Sequence, residues 1–194
     1  MQTDKFTALV RNAVMAAQND ALAANHQKVT AMHLLRALLA DDNVTLRSLV
    51  GRAGGDIDGL SAALDKSLAA IPAVTGSGAD QLQLDINLAR ILQAAESEAK
   101  TLGDSFLAVD ALLLAMVKSK GEFGRLLSGA GLDAARVSAA IADMRKGRTA
   151  DSDAAEDSYE ALSKFTTDVT DAARRGKLDP VIGREAEVRL SLIH

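Results

Sequence analysis

The chain repeats itself at an interval of about 78 residues, and this repeat restricts the possible folds more than any other feature. A shift of 78 residues superimposes one set of small and aliphatic residues on another: Ala16, Ala17, Ala21, Leu34, Leu35 and Ala37 on Ala94, Ala95, Ala99, Leu112, Leu113 and Ala115. After a one-residue slip near residues 40–46, a shift of 77 continues the match: Leu49, Ala53, Gly54, Asp56, Ala62 and Ala63 on Leu126, Ala130, Gly131, Asp133, Ala139 and Ala140. Solenoid repeats have periods of roughly 20–50 residues, so this interval indicates one small domain that has been duplicated.

Each copy is predicted to contain four helices, because its apolar residues recur at helical spacing. In the first copy, Thr30 is placed to cap the second helix, Gly54 ends the third, and Asp56 caps the fourth. The second copy repeats this plan at residues 81–102, 107–118, 122–130 and 133–144. We therefore predict an all-α fold in which two four-helix units form one pseudo-twofold, eight-helix globule. A single unit would be too small to bury enough apolar surface for a stable core.

Composition supports a helical, water-soluble chain and excludes several functions. Hydrophobic residues make up 48% of the chain, but only 3% is aromatic, which is typical of a core packed from Ala and Leu. The net charge of −4 disfavours a nucleic-acid partner, and the absence of Cys excludes disulfides and thiolate chemistry. No apolar run approaches the roughly 18 residues that a membrane helix needs. We expect a cytoplasmic protein with no membrane partner, no metal site and no catalytic residues in this chain.

Changes in composition predict the domain organisation. The two repeats, at about residues 1–70 and 80–144, form a domain over residues 1–144, and the turn-rich stretch IPAVTGSGAD connects them. Residues 145–158 are acidic and almost free of large apolar side chains, which predicts a flexible, solvated linker. Helical periodicity resumes afterwards, so residues 159–194 are predicted to begin a second domain that is incomplete.

A family resemblance emerges from the second part of the chain. The stretch KFTTDVTDAARRGKLDPVIGRE resembles the entry to the first AAA+ ATPase domain of the Clp/Hsp100 unfoldases. The duplicated helical unit ahead of it is similar to the N-terminal domain of the same family. Within the family, the disaggregase branch is the nearest in pattern.

The resemblance implies a nucleotide site that this chain holds only in part. In such ATPases, the segment that matches Asp179, Pro180, Val181, Ile182 and Gly183 lies against the adenine of ATP. The phosphate loop GxxxxGK[ST] does not occur in the sequence, so this chain is expected not to be an enzyme and to have no cofactor of its own. ATP with magnesium, assembly into a homohexamer and an Hsp70 co-chaperone system are implied for the longer parent protein.

The resemblance also implies where polypeptide would bind. The N-terminal domain of the family engages unfolded or aggregated proteins. Its polar anchors match Thr7, Asp104 and Asp110, and its groove walls match Leu92, Ala94 and Ala111. A shallow apolar groove suits this task because such clients share little besides exposed apolar segments, and the seam between the two repeats is the natural place for it.

Structural roles explain the same residues without any function. Thr7 can cap a helix, Asp104 can stabilise a turn, and Asp110 can interact with a helix dipole. Leu92 fits a core position, His33 fits a hydrogen-bonded core histidine, and His26 fits a loop. The leading function is the substrate-engaging module of a disaggregase. The alternative is an adaptor-docking module of a protease-partner ATPase with the same fold.

Overall fold

The structure, a computed structural model, describes residues 3–39, 44–74, 82–157 and 159. The described residues before 146 contain eight α-helices: α1 (Ala8–Ala23), α2 (Ala31–Leu38), α3 (Val44–Arg52), α4 (Ile57–Ala69), α5 (Ile86–Thr101), α6 (Val109–Lys118), α7 (Glu122–Gly129) and α8 (Ala134–Arg145). A short 3-10 helix covers Thr3–Lys5, and two short strands are β1 (Lys28–Val29) and β2 (Gln83–Leu84). The predicted AAA+ segment and its residues Asp179, Pro180, Val181, Ile182 and Gly183 lie outside the described residues.

The predicted duplication is confirmed by the helix boundaries. Helices α1 and α5 are both 16 residues long, and their first residues, Ala8 and Ile86, correspond under the shift of 78. Helices α4 and α8 begin at Ile57 and Ala134, which correspond under the shift of 77. The same local signals produce both, because Asp56 and Asp133 each accept a hydrogen bond from the backbone of the first helical turn. The all-α, eight-helix prediction therefore holds.

A small parallel pairing between the copies was not predicted. Strand β1 pairs with β2, with Val29 opposite Leu84, and Phe6 forms an isolated parallel bridge with Leu107. Under the repeat, these two pairings are the same interaction made twice. In each, the segment that precedes the first helix of one copy pairs with the segment that precedes the second helix of the other copy. The copies are thus joined by reciprocal backbone hydrogen bonds as well as by their side chains.

Aliphatic side chains from both copies form the core, as the composition predicted. Helix α6 is buried from Val109 to Met116, which means that it lies inside the domain and not on its surface. The largest fully buried side chains come from both copies: Phe6, Leu34, Leu35, Leu38, Leu46, Leu49, Leu60, Leu64, Leu92, Leu112, Leu113 and Met116. One shared core of this kind agrees with the prediction that the two units depend on each other.

Glycines at equivalent positions allow α3 and α7 to end close together. Gly54 has φ +75° and Gly131 has φ +81°, a backbone region that residues with a Cβ rarely adopt. A Cβ on Gly131 would lie 3.3 Å from the carbonyl oxygen of Gly54. The backbone N–H of Asp56 donates to the carbonyl of Ala130 at 3.0 Å across the same contact. The positive φ therefore favours glycine at both positions, and the close approach of the two copies adds a second constraint at Gly131.

The segment after α8 differs from the solvated linker expected for residues 145–158. Ala150, Ala155, Glu156 and Tyr159 are buried, and the first compact unit of the chain extends to Glu160. Exposed residues surround these four, including Asp151, Ser152, Asp153 and Asp157. The acidic composition concealed the packing because the buried positions are few and, apart from Tyr159, are Ala or Glu.

Candidate functional site

Asp104 and Asp110, two of the three predicted polar anchors, both accept hydrogen bonds from the same arginine, Arg145. Arg145 donates from Nη1 and Nη2 to the carboxylate of Asp104 at 2.7 and 2.8 Å. The same guanidinium donates from Nη2 and Nε to the carboxylate of Asp110 at 2.6 and 2.5 Å. The side chains of Arg145, Asp104 and Asp110 are 5%, 0% and 1% exposed. We call this buried group the Arg145 triad.

The Arg145 triad is a fixed ion cluster. Burial alone would lower the pKa of Arg145, but hydrogen bonds from the guanidinium to Asp110 and Asp104 outweigh burial and raise that pKa above its ordinary value. Forked donation to two carboxylates also fixes the orientation of all three side chains. The arrangement is suited to holding chain segments in place, since neither carboxylate is exposed to a ligand.

Thr7, the third predicted polar anchor, lies in a second buried contact. Its hydroxyl donates to Glu156 Oε1 at 2.7 Å, and the same oxygen accepts from the backbone N–H of Val109 at 3.1 Å. Val109 is the first residue of α6, whose N-cap, Ala108, has no side-chain cap. In the first copy, Thr30 and His33 form a capping box at the equivalent place. Glu156 therefore supplies the cap that the second copy lacks at the start of α6. Burial raises the pKa of the Glu156 carboxyl above its ordinary value.

Sequence reasoning missed Glu156 and Arg145, although the acidic and basic residues next to α8 were visible. The predicted wall residues do not lie together. Leu92 and Ala111 are 1% and 0% exposed and belong to the core. Ala94 is exposed on α5 and lies on the wall of a separate groove described below. The six predicted residues therefore do not form one open site in the structure.

A groove of about 720 Å³ runs along the seam between the two copies. Its walls include residues of α2 and the end of α4 from the first copy, and of α5, α6 and α7 from the second. The apolar lining side chains are Ala31, Met32, Ala70, Ile71, Pro72, Ile91, Ala94, Ala115 and Phe123. We call this cavity the seam groove, and it lies where the duplication predicted an apolar site.

Charged residues are placed at the edges of the seam groove. Asp85 is occupied as the cap of α5, accepting from the N–H of Asn87 at 2.9 Å, and Lys118 is paired with Glu98 at 2.7 Å. Arg90, Lys120 and Glu122 also line the groove, and none of the three forms an ion pair with another residue in the described ranges. An apolar floor with charged groups of both signs at its edge can bind an apolar segment and allow one polar end to remain in water.

A pair of histidines in the first copy stabilises the start of α2. His33 Nδ1 accepts from the backbone N–H of Thr30 at 3.1 Å, so its proton is assigned to Nε2, which donates to His26 Nδ1 at 2.9 Å. Burial, and then the neighbouring His26, lower the pKa of His33 to about 4. His33 is a core histidine, as expected, but His26 is 7% exposed and belongs to the same buried pair. The described residues contain no cluster of three or more potential metal ligands.

Similarity to known proteins agrees with this architecture. Residues 5–130 match the family model described as the Clp repeat (R) N-terminal domain. The chain belongs to this Clp N-terminal domain family. Its two copies of four helices and the seam between them are consistent with the repeat in the family's description.

Curated relatives place the chain near one branch of the Clp family. It is 44% identical over 193 residues to a protein named Chaperone protein ClpB from Rhodopseudomonas palustris, covering 99% of this chain. It is 36% identical over 189 residues to a protein of the same name from Rickettsia bellii, covering 97% of this chain. The chain spans 22% of the length of each of these relatives. It is therefore similar to the N-domain of ClpB-type chaperones.

Solved structures support the Clp N-domain fold. The Hsp104 N-terminal domain from Candida albicans is similar with a TM-score of 0.69 and 20% identity, covering 78% of this chain and 99% of that one. The N-terminal domain of the ClpV1 ATPase from E. coli is similar with a TM-score of 0.60 and 20% identity, covering 75% and 88%. A ClpV N-domain in complex with a VipB peptide has a TM-score of 0.57 and 20% identity, covering 72% and 86%.

Across residues 3–39, 44–74 and 82–157, no helix combines the length and hydropathy that a membrane-spanning helix needs.

Proposed function

We propose that this chain is the N-terminal part of a ClpB-like disaggregase and that its seam groove binds unfolded or aggregated polypeptide. The observation that carries the proposal is the groove itself, an apolar cleft of about 720 Å³ built from both copies. That volume lies within the range of roughly 300–1,000 Å³ that is usual for ligand sites. Unfolded proteins of different sequence share exposed apolar side chains, and a cleft lined by Met32, Ile91 and Phe123 can accept these without reading a sequence.

The longer protein would supply the energy for the next step. We propose that it binds ATP with magnesium, that the segment Asp179, Pro180, Val181, Ile182 and Gly183 contributes to the adenine site, and that the bound polypeptide passes to a homohexameric ring in the cytoplasm. An Hsp70 system would act as co-chaperone. The similarity to proteins named ClpB over nearly the whole chain supports this assignment.

Adaptor docking is the second candidate function. A ClpV N-domain of similar fold is described in complex with a peptide of one defined protein, VipB. This favours a surface that could recognise a particular partner. The two functions differ in their ligands, because a disaggregase should bind many unfolded chains and an adaptor-docking domain should bind one folded or peptide partner.

A charged side chain placed in the seam groove should weaken the proposed binding. In a titration with fluorescently labelled, reduced and carboxymethylated lactalbumin, which cannot refold, we expect Ala94→Glu to weaken binding by at least about tenfold. Ala94 is exposed in the groove wall, so the larger charged side chain enters the groove without disturbing the core.

Gln93→Glu is the matched control, because it adds the same charge to the preceding residue of α5, at an exposed position outside the groove lining. Its affinity should equal that of the parent chain. Equal weakening in both variants would contradict a site in the groove. Tight binding of a protease adaptor with no binding of the unfolded protein would overturn the disaggregase proposal in favour of adaptor docking.

A further inference from the structure

The segment that leaves α8 crosses back over the helical domain and is attached to it at three places. We call residues 146–157, together with Tyr159, the strap. The first attachment is at Ala150, whose N–H donates to Asp104 Oδ1 at 2.8 Å. The carbonyl of Ala150 accepts from the backbone N–H groups of Ser105 and Phe106 at 3.1 and 3.0 Å. This attachment joins the strap to the loop between α5 and α6 and to the Arg145 triad.

The second attachment is at Asp153, at the N-terminus of α1. The carbonyl oxygen of Asp153 accepts from the N–H of Ala8, the first residue of α1, at 2.7 Å. Its carboxylate lies 3.5 Å from the guanidinium of Arg11. This ion pair is exposed, so the backbone hydrogen bond is the more important part of the contact.

The third attachment is at Glu156 and Tyr159. One oxygen of Glu156 accepts from both the Thr7 hydroxyl and the Val109 amide, and so connects the starts of α1 and α6. The ring of Tyr159 is buried, with the guanidinium carbons of Arg145 and Arg148 at 5.5 and 5.8 Å from its centre. Because the two contacts of Glu156 share one oxygen, loss of this carboxylate would remove both together.

Several features show that this attachment is weak compared with the core. Ala150, Ala155 and Tyr159 are the only strap residues with buried apolar side chains. The second oxygen of Glu156 and the hydroxyl of Tyr159 are buried without a hydrogen-bond partner among the described residues. Burial raises the pKa of Glu156, which reflects the cost of keeping its charge away from water. A segment with few apolar contacts and unsatisfied polar atoms is the type that opens before the rest of a domain.

We propose that the strap is a releasable fastening, held docked by Glu156, whose release lengthens the connection between the helical domain and the chain that follows. Fully extended, residues 146–159 would span roughly 45–50 Å. Docked, they lie against the ends of α1 and α6 and add little reach. The same domain would therefore have a short and a long connection, and this holds whether the seam groove binds unfolded chains or an adaptor.

The absence of Cys allows a direct test in the 194-residue chain, because two introduced cysteines carry the only labels. Spin labels at Ser152→Cys on the strap and Gln18→Cys on α1 occupy exposed positions. We expect a narrow distance distribution for the parent chain and a broader, longer one for Glu156→Ala. Trypsin cleavage after Lys146 and Arg148 should accelerate by at least about tenfold, since cleavage requires local opening.

Two variants serve as controls for charge and for shape. Asp157→Ala removes one negative charge from the exposed neighbour and should keep the parent distribution. Glu156→Gln keeps an oxygen that can accept from Thr7 and Val109, so the strap should stay docked. Tyr159→Ala should release it by a different route. The proposal is overturned if the labels keep the parent distribution in Glu156→Ala, whatever the result for Tyr159→Ala, or if the distribution broadens only together with loss of helical circular dichroism.

Discussion

Replacing Arg145 with alanine should lower the free energy of unfolding by about 3–5 kcal/mol, because it leaves two buried carboxylates without a counter-charge. Asp104 and Asp110 are 0% and 1% exposed in their side chains, so water cannot replace the guanidinium without opening the domain. Urea unfolding followed by far-ultraviolet circular dichroism measures the effect. The midpoint should fall while the slope stays the same if the folded domain keeps its size.

Arg136→Ala provides the control on the same helix. Arg136 is 60% exposed and pairs with Asp133 at 3.3 Å on the surface, so its removal should change stability by less than about 0.5 kcal/mol. Arg145→Lys should fall between the two, since a single ammonium cannot reproduce the forked donation to both carboxylates. A loss below about 1 kcal/mol for Arg145→Ala would contradict the buried, charge-dependent triad described above.

Acidification should destabilise the domain through His33. The folded chain holds His33 neutral with a pKa of about 4, whereas the unfolded chain has the ordinary value of 6.5. Between these values the unfolded state binds more protons, so stability falls as the pH falls from 6.5 towards 4. The difference of about 2.5 pKa units corresponds to roughly 3 kcal/mol in total. Urea unfolding at a series of pH values between 7 and 4 measures the loss.

His33→Ala separates this contribution from that of the carboxylates. The second copy has Ala111 at the equivalent position, so alanine is compatible with the fold there. The variant should be less stable than the parent at pH 7, because the helix cap and the contact with His26 are lost. The stability difference between parent and variant should shrink towards pH 4. A constant difference over that range would show that His33 does not titrate as its surroundings require.

Local signals made the helices predictable from the sequence. Asp56 and Asp133 begin helices as N-caps, and Gly54 and Gly131 follow helices at positive φ. The residues that signal each of these helix ends therefore lie within a few positions of it. The strands β1 and β2 were not predictable in this way. Each has two residues, and each exists only because a segment of the other copy lies beside it. Pairing between distant segments leaves no periodicity to recognise.

The polar contacts were also hard to predict, because they join residues that are far apart in the sequence. Thr7 and Glu156 are separated by 149 positions in the chain, and nothing near either residue indicates the other. Glu156 stands among exposed acidic residues, where a buried carboxylate is not expected. The family resemblance selected Thr7, Asp104 and Asp110. In the structure Thr7 and Asp104 contact the strap, and Asp110 binds Arg145 just before it. Of the selected wall residues, only Ala94 lines the seam groove.

The reciprocal pairing of β1 with β2 and of Phe6 with Leu107 means that each copy completes a backbone edge of the other. A chain reduced to one copy would therefore lose a partner for those amides and carbonyls as well as half of its core. The two copies differ in their buried polar groups, since the first contains the histidine pair and the second the Arg145 triad. Because each copy depends on the other for these backbone contacts, the two copies are expected to unfold together.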